Sequence, residues 1–208
     1  MLADYPAFVR VYDLLAVDGN DLRPLPWTER RRRLEAFVPR LADSHFDLSQ
    51  VIEAADFDQV WPIIRDVVQA QETYAFDPDM DRDTAWKIWV ELPRATFVAE
   101  QGGQILGTYY IKANAAGPGD HVCNCGYMTA PAARGQGVAS QLCAHSLQVA
   151  RELGFSAMQF NSVVATNGIA VALWQKHGFA IVGTLPKAYR HARHGLVDCH
   201  VMYRSLLD

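Results

Sequence analysis

The chain has 208 residues, half of them hydrophobic (50%) and a fifth charged (20%), with a formal net charge of −4. That length fits one large domain or one domain with an appendage, and the apolar share excludes an intrinsically disordered chain. The acidic balance argues against a global electrostatic grip on nucleic acid. There is no charged-then-apolar leader and no apolar run long enough to span a bilayer. The four cysteines Cys123, Cys125, Cys143 and Cys199 form no Cys-x-x-Cys pair, so a reduced, cytoplasmic protein without membrane contact is expected.

Residues 1 to about 47 read as a compact unit. Ala7 to Leu15 is rich in β-formers, Asp18-Gly19 is a turn signal, and Pro24 and Pro26 break the chain. Thr28 reads as the N-cap of a helix from Glu29 to about Arg40 that carries Leu34, Phe37 and Val38 on one side. A unit this small cannot hold an independent core; it should dock on the rest of the chain or on a partner subunit.

A second region opens near Phe46. Leu48 to Ala54 reads as a strand, followed by a helix with Val60, Trp61, Ile64, Val67 and Val68 at helical spacing. Another short helix covers Asp83 to Glu91. A hairpin follows, from Ala95 to Glu100, through Gln101-Gly102-Gly103-Gln104, to Ile105–Lys112. In the third region His121 to Thr129 is a strand, Gly135 to about Leu153 a helix, and Ala157 to Asn161 a strand. Asn167 to His177 is a helix closed by Gly178, and the last strands are Ala180–Gly183 and Val197–Tyr203.

Strand, glycine-bearing turn and helix together make a phosphate-binding device. The first turn of a helix has N–H groups without internal partners, the helix dipole adds positive potential, and small residues let phosphate oxygens approach. Gly135, Gly137 and Ala139 meet this need, and Arg134 adds a cation suited to a diphosphate. A P-loop is excluded because no Lys follows. A dinucleotide fingerprint is excluded because Ser140 stands where its third Gly belongs.

The run Met128-Thr129-Ala130-Pro131-Ala132-Ala133-Arg134-Gly135-Gln136-Gly137-Val138-Ala139 resembles motif A of the GNAT acetyltransferase superfamily. Asn167-Gly168-Ile169-Ala170-Val171-Ala172-Leu173-Trp174-Gln175-Lys176-His177-Gly178-Phe179 resembles its motif B. The resemblance spans roughly residues 46 to 206 and implies an α/β (α+β) fold with a mixed, mostly antiparallel sheet flanked by helices. It implies acetyl-CoA as cosubstrate. The pyrophosphate would sit on the backbone of Gly135, Gln136, Gly137, Val138, Ala139 and Ser140, beside Arg134. The pantetheine arm would lie like an extra strand against Met128 and Thr129, with Asn167 contacting it.

Acyl transfer needs a neutral amine, a polarised thioester carbonyl and a protonated leaving thiol. The resemblance implies direct attack by a primary amine of a small molecule in a ternary complex, with the oxyanion met by backbone N–H near Met128. The tyrosine that commonly protonates the thiolate is replaced by Trp174, whose indole N–H is a donor but not a usable acid. Packing against the cofactor arm is its favoured reading. Tyr189 and Tyr127 are then candidates for proton donor. Glu72 is a candidate base, equally readable as a solvated carboxylate. Its segment Gln71-Glu72-Thr73-Tyr74 resembles the acceptor-side loop of the phosphinothricin acetyltransferase group, which makes Tyr74 a candidate acceptor contact. His121, Cys123 and Cys125 share one strand face, but a single strand closes a tetrahedral site poorly and no metal is expected. His121 or Asn124 could reach the acceptor, and Asn161 could line the meeting point of acceptor and thioester. Tyr189, Arg190, His191 and His194 read as a last loop that closes the pocket or stands in solvent.

Residues 7 to 48 resemble the strand-turn-helix around the Phe-Asp-Leu-Leu motif of ATP-dependent DNA ligases. The lysine of the Lys-x-Asp-Gly motif is absent, with Ala16 before Val17-Asp18-Gly19, so ligase activity does not follow. A structural module that caps the domain or builds a dimer contact is expected, with residues 48 to 208 as the acetyltransferase domain. Two other readings stay open. One is a catalytically weak CoA-binding module, because of Trp174. The other is a nucleic-acid-associated protein, because of Arg30 to Arg33.

Overall fold

The computed structural model describes residues 9–11, 16–17, 20–25, 27–37, 46–48 and 54–207. The chain divides into two compact units, Met1–Val51 and Ile52–Asp208. In the first, β1 (Val9–Val11) pairs in parallel with a later strand, and β2 (Ala16–Val17) pairs antiparallel with β3 (Asn20–Asp21). α1 (Trp27–Phe37) follows, and β4 (Phe46–Leu48) is the partner of β1. Thr28 is the second residue of α1, not its N-cap, and Asp18-Gly19 and Val38 lie outside the described residues. The strand expected from Leu48 is also corrected. Leu48 closes β4 in the first unit, and Ala54 already opens a helix. Leu22 and Leu34 are buried together, with Val17, Leu25 and Phe37 beside them. The arginine run is committed within its own segment. Arg32 and Arg33 pair with Glu29, Arg31 pairs with Glu35, and Arg30 donates to the Leu25 carbonyl.

The second unit is a six-stranded sheet between two helical layers. Its elements are α2 (Ala54–Ala70), α3 (Arg82–Trp86) running into a π-helical turn (Lys87–Glu91), β5 (Ala95–Gln101) and β6 (Gln104–Ala113). Next come β7 (Val122–Thr129), α4 (Val138–Glu152), β8 (Ala157–Val164), α5 (Gly168–Lys176), β9 (Ala180–His191) and β10 (Gly195–Ser205). The sheet order is β5-β6-β7-β8-β10-β9. Every neighbouring pair is antiparallel except β7 and β8, the two central strands joined by the α4 crossover. Among the described residues no helix is long and apolar enough to cross a membrane.

Each face of the sheet has its own core. Phe57, Val60, Ile64 and Val68 recur at helical spacing on α2 and pack with Trp89 on Tyr110 and Met128. On the other face Leu142 and Leu147 of α4 and Trp174 of α5 pack on Tyr109, Ile111, Cys123, Met158, Phe160 and Met202. The alternation of the strands divides these residues between the two layers. All four cysteines are buried and unbridged.

Gly126 is required by a close approach. A Cβ there would meet Tyr110 Cε1 at 2.5 Å. The Tyr110 ring is fixed edge-on against Trp89, centroids 4.8 Å apart, and its hydroxyl points to Asn124 Oδ1 at 3.4 Å. Gly126→Ala should therefore destabilise the fold by about 1–3 kcal/mol through overpacking. Thermal melting checks this, at roughly 2–4 °C lost per kcal/mol.

Candidate active site

The central feature is a split between β7 and β8. Their parallel ladder has two positions, Val122↔Ala157 and Cys123↔Met158, and no pair beyond them. Asn124 spans the point of separation, its Nδ2 donating to the Gln159 carbonyl at 2.9 Å. Which backbone groups face the gap follows from the β6–β7 ladder. Asn114 N–H donates to the Val122 carbonyl (2.8 Å) and Ala130 N–H to the Leu106 carbonyl (2.8 Å). Hydrogen-bonded pairs alternate in an antiparallel ladder, so Asn124, Gly126 and Met128 also turn their backbone toward β6. Cys125, Tyr127 and Thr129 turn theirs into the split. The backbone donors expected near Met128 are thus those of its odd-numbered neighbours, and of the two residues expected along the arm Thr129 faces the split while Met128 does not. Met128 N–H faces Thr108, and the Met128 side chain is buried under α2.

The glycine turn lies just beyond the open end of β7. Gly135 (φ 78°) and Gly137 (φ 82°) are both left-handed, a conformation that favours glycine, and a Cβ on either would meet nothing within 4 Å. They are needed for their backbone angles, not for packing. Left-handed residues cannot continue a helix, so α4 starts at Val138 rather than at Gly135. Its first internal bond runs from Gln141 N–H to the Gly137 carbonyl (3.1 Å). The N–H groups of Val138, Ala139 and Ser140 therefore point outward without helical partners. Arg134 is exposed beside them, and the Val138 side chain is a buried anchor. The Ser140 hydroxyl meets His177 Nε2 at 2.8 Å. Burial, with Lys176 and Arg204 nearby, holds His177 below the usual histidine range. Unpaired N–H groups, an open approach and a cation fit a diphosphate.

Trp174 backs the split. Its ring lies 4.9 Å from Tyr127 of β7 and 5.0 Å from Phe160 of β8, touching both separated strands at once. Asn167 is the N-cap of α5, its Oδ1 accepting from Ala170 N–H at 3.2 Å. The Tyr127 hydroxyl is 2.6 Å from Ser146 Oγ in the core, and burial pushes its pKa well up, so it is not placed to protonate a thiolate.

On the opposite face, the segment after α2 closes over the gap. The Tyr74 hydroxyl accepts from Tyr127 N–H (2.7 Å) and donates to the Tyr127 carbonyl (2.9 Å). Glu72 is ion-paired with Arg193. The Tyr189 hydroxyl donates to the Tyr74 carbonyl at 3.1 Å, and burial, then Cys199 and Glu72, raise its pKa. Tyr189, Arg190 and His191 belong to the long strand β9, not to a loop, and the turn that follows spans residues 192–194. Asn161 donates to Asn114 Oδ1 (2.6 Å) and accepts from Gln159 Nε2 (2.8 Å), forming an amide cluster beside Asn124. His121 is not brought to the open gap. It precedes β7 at the closed end, with Nδ1 at 3.1 Å from the Pro118 carbonyl. Cys123, fully buried, is in no position to act as a nucleophile, and burial pushes the Cys125 thiol up.

Other participants were not singled out beforehand. Which of the β7 residues offer their backbone, Cys125 and Tyr127 with Thr129, depends on ladder parity. Arg193 depends on the fold of a distant hairpin. His191 was expected near the pocket, but its contact, with Nδ1 accepting from Arg193 N–H at 3.1 Å, depends on the same hairpin. His177 could have been suspected, because it lies within the motif-B run.

The profile of the Acetyltransferase (GNAT) family matches residues 61–179. The N-acetyltransferase aca1 of Schizosaccharomyces pombe is 36% identical over 98 residues, 47% of this chain and 47% of its own. A DNA ligase of Aeropyrum pernix is 28% identical over 100 residues, 45% of this chain and 16% of the ligase. The aligned parts thus span about half or less of those curated relatives. Among solved structures, a GCN5-related N-acetyltransferase from Kribbella flavida is 42% identical. It has a TM-score of 0.72 and covers 75% of this chain and 95% of that one. An acetyltransferase from Salmonella typhimurium, solved with its cofactor acetyl-CoA, shares the fold at 20% identity and a TM-score of 0.67, covering 76% and 93%. With its glycine turn, its split sheet and a profile match over more than half its length, this chain belongs to the GNAT acetyltransferase family.

Proposed function

We propose that the protein moves an acetyl group from acetyl-CoA to the primary amine of a small molecule, by direct attack in a ternary complex. The β7–β8 split carries this reading. It offers an unpaired strand edge that leads straight to the uncovered N-terminus of α4. An extended arm with two amides can pair with such an edge while its diphosphate rests on the helix.

Acetyl-CoA supplies the activated carbonyl and the thiol leaving group. The chain supplies the rest. Arg134 and the N–H groups from Gly135 to Ser140 hold the diphosphate, and Asn167 and Trp174 wall the arm. Thr129 and Tyr127 pair with the arm. Cys125 N–H, the edge donor nearest the point of separation, polarises the carbonyl. Glu72 takes the ammonium proton, directly or through water, once its carboxylate is free of Arg193. Tyr189, whose hydroxyl already donates to the Tyr74 carbonyl on the acceptor side, is the candidate proton donor to the thiolate. Tyr74, Asn124 and Asn161 line the acceptor side. This acceptor loop is of the phosphinothricin-acetyltransferase kind, and the setting is cytosolic. Residues 7 to 48 are a structural module of ligase-like origin without ligase chemistry, consistent with arginines already paired on α1.

Thiol release from acetyl-CoA across a panel of small primary amines tests the reading. Turnover with at least one amine is expected, and CoA binding without any turnover would overturn it. Glu72→Gln should lower kcat about 10²-fold or more while leaving CoA affinity near wild type, measured by initial rates and calorimetry. Trp174→Phe keeps an aromatic wall without the N–H. It should retain kcat to within about three-fold, whereas a loss comparable to that of Glu72→Gln would make the indole N–H part of the chemistry.

A further inference from the structure

The Tyr74 hydroxyl engages both polar groups of one residue, Tyr127 N–H at 2.7 Å and Tyr127 C=O at 2.9 Å. These are the groups that an extended amide-bearing arm would need at the middle of the β7 edge. Both cannot be served at once. Burial drives the Tyr74 pKa upward, so the phenol stays neutral and serves as donor and acceptor together. Its ring is stacked on Phe76, centroids 5.5 Å apart, and lies 6.2 Å from Trp89.

The Tyr74 segment is also tied to the hairpin of β9 and β10. Ala192 N–H donates to the Gln71 carbonyl (3.0 Å), Tyr189 donates to the Tyr74 carbonyl (3.1 Å), and Arg193 holds Glu72. Gln71, at the root of the segment, has φ 51°, a left-handed conformation unfavourable for a residue with a side chain. A strained joint at the end of α2 is a natural pivot.

We propose that Tyr74 is a place-holder that couples the two halves of the reaction: displacing its hydroxyl from Tyr127 releases the 71–76 segment from the β9–β10 hairpin and frees Glu72 for the amine. This rests on the acyl-CoA reading above. Before the donor arrives, Glu72 remains paired with Arg193 and the acceptor side lacks its base.

The test uses the full chain, CoA as probe, calorimetry and hydrogen exchange. Tyr74→Phe removes the competing hydroxyl and keeps the ring, so it should bind CoA about three- to ten-fold tighter. In the wild type, CoA should protect residues 123–129 and at the same time raise exchange in 71–76 and 189–194. In Tyr74→Phe, exchange in 71–76 should be high before CoA is added. Tyr189→Phe cuts one tie while leaving the Tyr74 hydroxyl in place. It should tighten CoA binding about two-fold, which keeps the test usable if Tyr74→Phe folds poorly. Unchanged or weaker CoA binding by both variants, or protection of 71–76 by CoA, would overturn the place-holder while leaving the acyltransferase reading intact. A wild-type chain that binds no CoA would overturn both.

Discussion

Two central strands of a sheet that part after two rungs impose a cost that the rest of the molecule has to meet. Backbone groups of Cys125, Tyr127 and Thr129 are turned into a gap where β8 no longer answers them. A buried N–H or C=O without a partner costs about 1–3 kcal/mol. The gap is therefore held by substitutes. The Asn124 amide takes the Gln159 carbonyl, and the Tyr74 hydroxyl takes both groups of Tyr127. Trp174 keeps the strands apart by filling the space behind them, in contact with an aromatic ring from each. Among the described residues no buried side-chain polar atom lacks a partner.

The split also separates the chemistry. On one side α4 and α5 close the back, and the left-handed glycines aim the first turn of α4 outward. On the other, the segment after α2 and the β9–β10 hairpin come together around Glu72, Tyr74, Tyr189 and Arg193. In the proposed reaction donor and acceptor approach the same few backbone groups from different directions, and proximity of this kind accounts for much of the acceleration in a direct transfer.

Several tyrosines surround the site, and burial gives them a common character. Tyr74, Tyr109 and Tyr127 all have pKa values driven upward by desolvation, and Tyr110 is pushed up to about 12. As neutral phenols they act as two-way hydrogen-bonding groups. That suits Tyr74 to a strand edge that presents a donor and an acceptor side by side.

The family, the glycine turn and the order of elements were legible because they depend on local features. Gly135 and Gly137 are where left-handed backbone is needed, Asn167 is where a helix needs a cap, and Gly178 is where it ends. Helical spacing on α2 likewise announced its buried face. The Leu48 strand and the start of α4 were misplaced because short-range propensity does not see a parallel partner some 37 positions earlier in the chain (Val11↔Leu48) or a left-handed pair of glycines. Ladder parity was beyond reach. Whether Met128 or Tyr127 faces the gap depends on which pairs of β6 and β7 are hydrogen-bonded, a register fixed by packing on both faces. The meeting of Glu72 with Arg193 and of Tyr74 with Tyr189 joins residues more than a hundred positions apart. The sequence by itself thus determined the family and the glycine turn before α4, which are written in consecutive residues. Only the tertiary structure decided which backbone groups are offered and what occupies them, because those follow from contacts between distant strands.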